Sequence, residues 1–287
     1  MFDRFTSLLV VLAVAGIGVH ADRAAHAETH FGEAQKMGDG TVRTYVIVLD
    51  DGQPTTIGIS FTASLLDGLP SEPNPTSRCF DTDGDGRLGE HECEGDHEVR
   101  LPLSPALAGR ADLPFRWVGI NWNPHGHPPG AWSVPHFDVH FYMVDQGAID
   151  AIRVGPCEFF IDCEDRERAL RPVDPAYVHP DHVSVGATVA MMGNHLIDSH
   201  TPELAEADPE PFTHTWIFGA YDGQITFYEP MITREYLLSR PDGCTPIKQP
   251  TAWQRAGWYP TEYCIRYSEP DDAYTVSLEE MVYREAH

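Results

Sequence analysis

Pro135-His136-Phe137-Asp138-Val139-His140-Phe141-Tyr142-Met143-Val144 alternates between polar or amphipathic and apolar side chains. Successive side chains of a β-strand point to opposite faces. A strand here presents Phe137, Val139, Phe141 and Met143 to a core, and His136, Asp138, His140 and Tyr142 to the other side. Short segments of similar character recur on either side, separated by Gly, Pro and Asp. Thr41 to Leu49 and Thr55 to Phe61 flank Asp50-Asp51-Gly52, which predicts an opening hairpin. Further strands are expected at Val99 to Leu103, Phe115 to Asn123, Ile149 to Val154, Val183 to Met191, Thr213 to Ala220, Gln224 to Tyr228, Glu262 to Tyr267 and Tyr274 to Tyr283. Only Thr233 to Ser239 and Thr62 to Leu66 have helical character. Many short strands with frequent turns predict a mainly β chain, with α+β as the alternative, arranged as an antiparallel sandwich or barrel-like single domain. Residues 71–96 read as an insertion, and residues 157–182 and 241–263 are two further loop-rich passages.

The N-terminus has a different character. Arg4 precedes an apolar run from Leu8 to Val19, too short to span a bilayer but suited to a signal peptide cleaved after Ala25-His26-Ala27. The expected organisation is a signal peptide at residues 1–27 and one β-rich domain at 28–287, in the periplasm or outside the cell, without an integral membrane anchor. The six cysteines, all beyond residue 27, suit an oxidising compartment. Short loop closure favours Cys79 with Cys93, Cys157 with Cys163 and Cys244 with Cys264, one of several pairings that six cysteines allow.

The formal net charge is −25, and Lys36 and Lys248 are the only lysines. Such a surface repels polyanions, which excludes ordinary nucleic-acid binding, and attracts cations. A salt-adapted or GC-rich source would produce the same acidity, so charge alone does not define the chemistry.

Two motifs do. The run Asp81-Thr-Asp83-Gly-Asp85-Gly86-Arg87-Leu-Gly-Glu-His-Glu92 fits a twelve-residue calcium loop, with carboxylates at positions 1, 3 and 5, the carbonyl of Arg87 at 7 and a bidentate Glu92 at 12. Pro73 and Pro75 stand where an incoming helix would lie, so a Cys79–Cys93 bridge is the expected clamp. An acidic Asx-turn loop without metal is the alternative.

The second motif is the histidine strand with its neighbours. His136, Asp138 and His140 share a face, His125 and His127 precede them in a proline-stiffened loop, and two distant segments supply His195 with Asp198, and Glu229. His195 and Asp198 are expected in a turn after a strand, and Glu229 at the end of a strand pair. Positions i and i+4 of a strand lie about 13 Å apart, whereas a metal–imidazole bond is about 2.0–2.1 Å. His136 and His140 therefore meet at one ion only across a bulge. Imidazoles with a carboxylate suit a transition metal, zinc first, with copper, iron or manganese open to the same ligands. Ordinary hydrogen-bonded core histidines are the competing reading.

Several stretches resemble a family of exported, mostly bacterial proteins classified by a domain of unknown function. They are GDGTVRTYV, HEVRLPL, the block from WNPHGHPPG to PHFDVHFYMV, MGNHLID, FTHTWIFGAYDGQITFYEPMITREYL and YTVSLEEMVYR, in order along nearly the whole chain after residue 27. The resemblance implies a shared β-rich fold and an extracytoplasmic setting, and no substrate. Three functions follow from the residues: a metal-binding protein with a transition-metal site and a structural calcium, a metal-dependent hydrolase or lyase with Asp138, Asp198 or Glu229 as general base, and a structural envelope protein whose histidines only make hydrogen bonds. A small molecule or metal is the expected ligand, and a homo-oligomer stays open.

Overall fold

The computed structural model describes residues 26–89 and 91–287, so residues 1–25, with nearly all of the expected signal peptide, lie outside the described residues. The first strands are β1 (Ala27–Phe31), β2 (Gln35–Met37), β3 (Gly40–Leu49), β4 (Pro54–Thr62), β5 (His97–Pro102), β6 (Trp117–Asn123) and β7 (His136–Tyr142). Helix α1 (Gln146–Asp150), β8 (Val154–Cys157), α2 (Cys163–Ala169), β9 (His182–Val189), β10 (Gly193–Asp198), β11 (His214–Tyr221), β12 (Gln224–Thr233) and α3 (Arg234–Leu238) follow. The chain closes with β13 (Asp242–Pro246), β14 (Gly257–Tyr259), β15 (Glu262–Ser268), β16 (Ala273–Glu279) and β17 (Val282–Arg284).

Fourteen of these strands form two antiparallel sheets packed as an open sandwich, not a closed barrel, while β14 and β17 pair separately and β8 joins neither sheet. The first runs β1-β3-β4-β16-β15-β13, with β2 paired to β3, and the second runs β5-β6-β7-β12-β11-β10-β9. The β3–β4 hairpin turns through Asp50-Asp51-Gly52, where Gly52 takes a positive φ of 89°. Val42, Val46, Ile57 and Ile59 from the first sheet share one core with Val118, Ile120, Phe137, Val139, Phe141 and Phe218 from the second. Among the described residues no helix is long and apolar enough to cross a membrane.

Every residue of β6 and β7, and all of β12 except Gln224, is buried. Their inner face meets the first sheet. Their outer face is covered at one end by Ile149, Ile152, Ile161 and Ala169 over Trp117, Tyr142 and Phe227, and at the other by Phe212 and Trp132 against Ile217 and Met231. The polar side of the histidine strand is therefore interior as well.

Several expected boundaries are corrected. Residues 149–154 are not a strand: Ile149 lies in α1 and the next strand starts at Val154, because Ile149 and Ile152 have the i, i+3 spacing that a helical turn buries on one side. Residues 193–198 form β10 and not a turn, and the reversal comes earlier, at Met191, with φ of 58°. Glu229 does not end a strand pair, since β12 runs on through Pro230 to Thr233. The passage at 157–182 contains α2, capped by the Asp162 side chain on the N–H groups of Glu164 and Asp165, and 241–263 contains β13 and β14. Residues 274–283 divide into β16 and β17.

Candidate metal centre

Register decides which polar side chains meet. Tyr228 pairs with Phe141 and Met231 with Asp138, which brackets Glu229 beside His140. Pro230 has no N–H to give, and the β7–β12 ladder is interrupted between those two pairs. On the other side of β12, Gly219 lies between Phe227 and His195 in register. A Cβ at Gly219 would overlap the Phe227 ring, so glycine there makes room for that ring between His140 and His195, which it meets in edge contacts with centroids 4.9 and 5.3 Å away.

The outer face of the second sheet thus carries two groups, each able to offer ligand atoms within 4.8 Å of one another: His127, His136 and Asp138, and His140, His195 and Glu229. Six of the seven residues read from the sequence as transition-metal ligands fall into these groups. The seventh, His125, is exposed and joins neither. His136 and His140 belong to different groups, as strand geometry requires.

In the inner group, His140 Nδ1 hydrogen-bonds Asn121 Oδ1 at 3.1 Å, and His195 Nδ1 the carbonyl of Ala187 at 3.1 Å. Both acceptors lack a hydrogen on oxygen, so both imidazoles donate from Nδ1. Each then turns the Nε2 lone pair to Glu229, at 3.5 Å from Oε1 for His140 and 3.8 Å from Oε2 for His195. His140 and Glu229 are 0 % and 1 % exposed. Burial pulls the His140 pKa down to about 3 and that of His195 down to about 4, so both rings are neutral near pH 7. Burial, followed by the charge of Asp138, pushes the Glu229 carboxyl well above the ordinary range.

The outer group has the opposite electrostatics. His136 Nδ1 donates to the carbonyl of Val134 at 2.7 Å, and its Nε2 lies 3.2 Å from Asp138 Oδ1. Asp138 Oδ2 accepts from Asn123 Nδ2 at 2.8 Å and faces His127 Nε2 at 3.2 Å. Burial opposes the charge on Asp138, but His136 and His127 outweigh it and hold this carboxyl well below its usual range. The His127 side chain is 44 % exposed at the rim. Its loop folds back through Gly126, φ 65°, and a hydrogen bond from His127 N to the Trp132 carbonyl.

Behind His140 runs a chain that the sequence did not reveal. Asn121 Nδ2 donates to Asp96, which also accepts from Arg78 and Ser77. Burial works against the Asp96 charge, and Arg78 with these hydrogen bonds more than offsets it. Arg78 adjoins Cys79, so the clamp of the acidic loop starts one residue from the buried chain that ends at the ring of His140. The signal available was the Arg-Cys pair at one end of the loop and Asp96 at the other, beside the outward-facing Asn121.

All three disulfides have the expected connectivity. In the acidic loop Asp81, Asp83 and Asp85 come together. Asp81 accepts from the N–H groups of Gly84 and Gly86, at 2.6 and 2.8 Å. Glu92 stands apart: its carboxylate accepts from Thr82 N and Oγ1, both at 2.6 Å, and from Gly89 N at 2.8 Å. Those bonds, Gly89's first, hold its pKa down to about 2. Asp198 lies in neither triad and pairs with Lys248 at 2.7 Å.

No family model, curated protein or solved structure matches the chain.

Proposed function

We propose that this is an exported metal-binding protein that holds a transition-metal ion, zinc in the first instance, with His140, His195 and Glu229, and that His127, His136 and Asp138 form an adjoining second position. One observation carries the reading: His136 Nε2, Asp138 Oδ1, His140 Nε2 and Glu229 Oε2 are all buried without a hydrogen-bond partner. Buried polar atoms are almost always satisfied; one proton between His136 Nε2 and Asp138 Oδ1, 3.2 Å apart, would satisfy that pair, whereas His140 Nε2 and Glu229 Oε2 on the same patch are left to a cation or further protons. The Nδ1–H anchors of His136, His140 and His195 are the outer contacts that metal-bound imidazoles ordinarily make. A centre so enclosed suits an ion that is retained better than one serving a bulky substrate. Export rests on the apolar leader and on three disulfides. The acidic loop is assigned to calcium, with Asp81, Asp83 and Asp85 as ligands and Glu92 joining on rearrangement.

The test is metal analysis of untagged protein after incubation with zinc, copper or manganese and desalting. We expect at least one retained equivalent, falling well below one in His140→Ala with the fold intact by circular dichroism. Wild-type protein that retains no metal refutes the assignment.

A further inference from the structure

The six side chains of the two triads differ in their access to solvent. The His127 side chain is 44 % exposed, against 12 % for His195, 6 % for Asp138, 2 % for Glu229, 1 % for His140 and 0 % for His136. The rings differ in freedom as well. His136, His140 and His195 are each fixed by an Nδ1 hydrogen bond, whereas among the described residues the His127 ring is hydrogen-bonded only through Nε2, to Asp138. One of the six is thus both accessible and able to turn.

The walls around the inner triad leave one direction along the sheet for an ion. At one end Tyr142 and Phe227 lie against His140, with centroids 5.5 and 4.9 Å away, and Trp117, Ile149 and Ile152 pack with them. On the β11 side Ile217 pairs with Glu229 and packs with Phe212 and Met231. A cation crosses such apolar layers only at a high cost. Towards β6 stands Asn121, and behind it the buried Arg78 guanidinium paired with Asp96, a fixed positive charge that repels an incoming one. The remaining direction runs along β7 to Asp138 and from there to His127 at the rim.

The outer group suits a transient stop. Net charge of −25 draws cations to the surface, and on this face the half-exposed His127 is the first transition-metal ligand that they meet. Nε2 of His127 and of His136 lie 3.2 Å from different oxygens of Asp138, so a captured ion finds the rest of its ligands at once. When the ion leaves, one proton between His136 and Asp138 satisfies that pair. Asp138 and His140 are alternate residues of one strand, about 7 Å apart, so the onward step is a single strand position.

We propose that the outer triad is the loading port of the inner one: a divalent transition-metal ion is captured by His127 and Asp138, completed by His136, and passed along β7 to His140, Glu229 and His195. The inference rests on the metal-binding reading above and adds the route by which that site fills.

Wild type and His127→Ala, each loaded with one equivalent of zinc, are mixed in a stopped-flow instrument with excess chromophoric chelator to read release. Metal-free protein mixed with the zinc-loaded chelator reads uptake, and equilibrium competition reads affinity. His127 lies at the rim, and circular dichroism checks that the variant keeps the fold. We expect His127→Ala to slow uptake and release alike by about tenfold, with affinity within about twofold of wild type, because the contact is lost from the barrier and not from the bound state. A side chain that merely blocks the entrance would give the opposite result, faster exchange once it is removed. Faster or unchanged exchange in the variant overturns the proposal. So does a loss of affinity that matches the loss in uptake rate, which would make His127 a ligand of the retained ion. Wild type that retains no zinc overturns the proposal together with the metal-binding reading, whereas zinc retained with unaltered exchange in the variant overturns the loading route alone.

Discussion

Replacing Glu229 by Gln should reverse the sign of its effect on stability when metal is added. Glu229 is 1 % exposed, and its carboxylate faces Nε2 of His140 at 3.5 Å and of His195 at 3.8 Å. Both nitrogens present lone pairs, because both rings donate from Nδ1. Without a cation, acceptors confront acceptors until Glu229 takes up a proton, and Oε2 has no donor. Gln preserves the volume, removes the charge and supplies an N–H, so the metal-free variant should be as stable as wild type or more stable by about 1–3 kcal/mol. Because the Glu229 pKa is raised in the fold, the metal-free fold holds a proton that the unfolded chain releases. Wild-type stability then falls as pH rises above the ordinary carboxylate range, and the variant lacks that slope. With metal the ordering inverts. An affinity loss of about a hundredfold removes about 2.7 kcal/mol of ligand stabilisation at saturating metal. At roughly 2–4 °C per kcal/mol for a domain of this size, the metal-induced rise in Tm should shrink by about 5–11 °C. Scanning calorimetry of untagged wild type and variant, each with zinc and with chelator, reads both quantities. A variant that loses the same stability in both conditions would show that Glu229 is a packing residue, and the reasoning would fail.

Asn121→Ala touches no ligand atom, yet it frees the Nδ1 anchor of His140 and should weaken metal binding about 10–100-fold in competition with a chromophoric chelator; unchanged affinity would mean that the Arg78–Asp96–Asn121 chain does not orient the ring. Calcium should raise the melting temperature of wild type relative to chelator, and Asp81→Asn should abolish the increment, whereas identical wild-type curves would remove calcium from the acidic loop. For His182, burial lowers the folded pKa to about 4 from the ordinary 6.5, so the unfolded chain takes up the proton first. Stability is then full above about pH 6.5 and lost as pH falls towards 4, by up to roughly 3 kcal/mol. His182→Phe should flatten this part of the profile in urea unfolding, and equal pH slopes in the two proteins would sink the assignment.

Much of the sandwich is legible because its strands repeat with period two over seven or more residues. β3 and β7 bury alternate apolar side chains against the opposite sheet, and the Asp50-Asp51-Gly52 turn announces β4, the neighbour of β3. The misread segments lack that signal. β10 opens with Gly193 and Asn194, which are turn formers by composition, and becomes a strand only because β9 and β11 flank it on both sides. β12 contains a proline that ordinarily terminates a central strand, yet it continues, since the interruption falls at the ladder positions opposite His140 and Val139. Neither override is local, so no window of sequence contains it.

The candidate site was legible in a different way. Period two assigns His136, Asp138 and His140 to one face, and a spacing of about 13 Å between i and i+4 positions separates the two histidines. Those facts require two positions on β7, but they leave open what completes each. Completion depends on register and on loop return: Glu229 reaches His140 because Tyr228 pairs with Phe141, and His127 reaches His136, with ring centroids 4.7 Å apart, because its loop doubles back. The same arrangement divides the electrostatics. The outer group, at the half-exposed His127, holds an ionised Asp138 between imidazoles, while the inner group, sealed by Phe227 and Tyr142, keeps neutral imidazoles against a carboxyl that resists ionisation. A divalent ion satisfies the inner group without disturbing its Nδ1 hydrogen bonds, whereas protonating either of its rings places an uncompensated charge in an apolar enclosure. The inner triad is accordingly the position at which a cation changes the stability of the fold most.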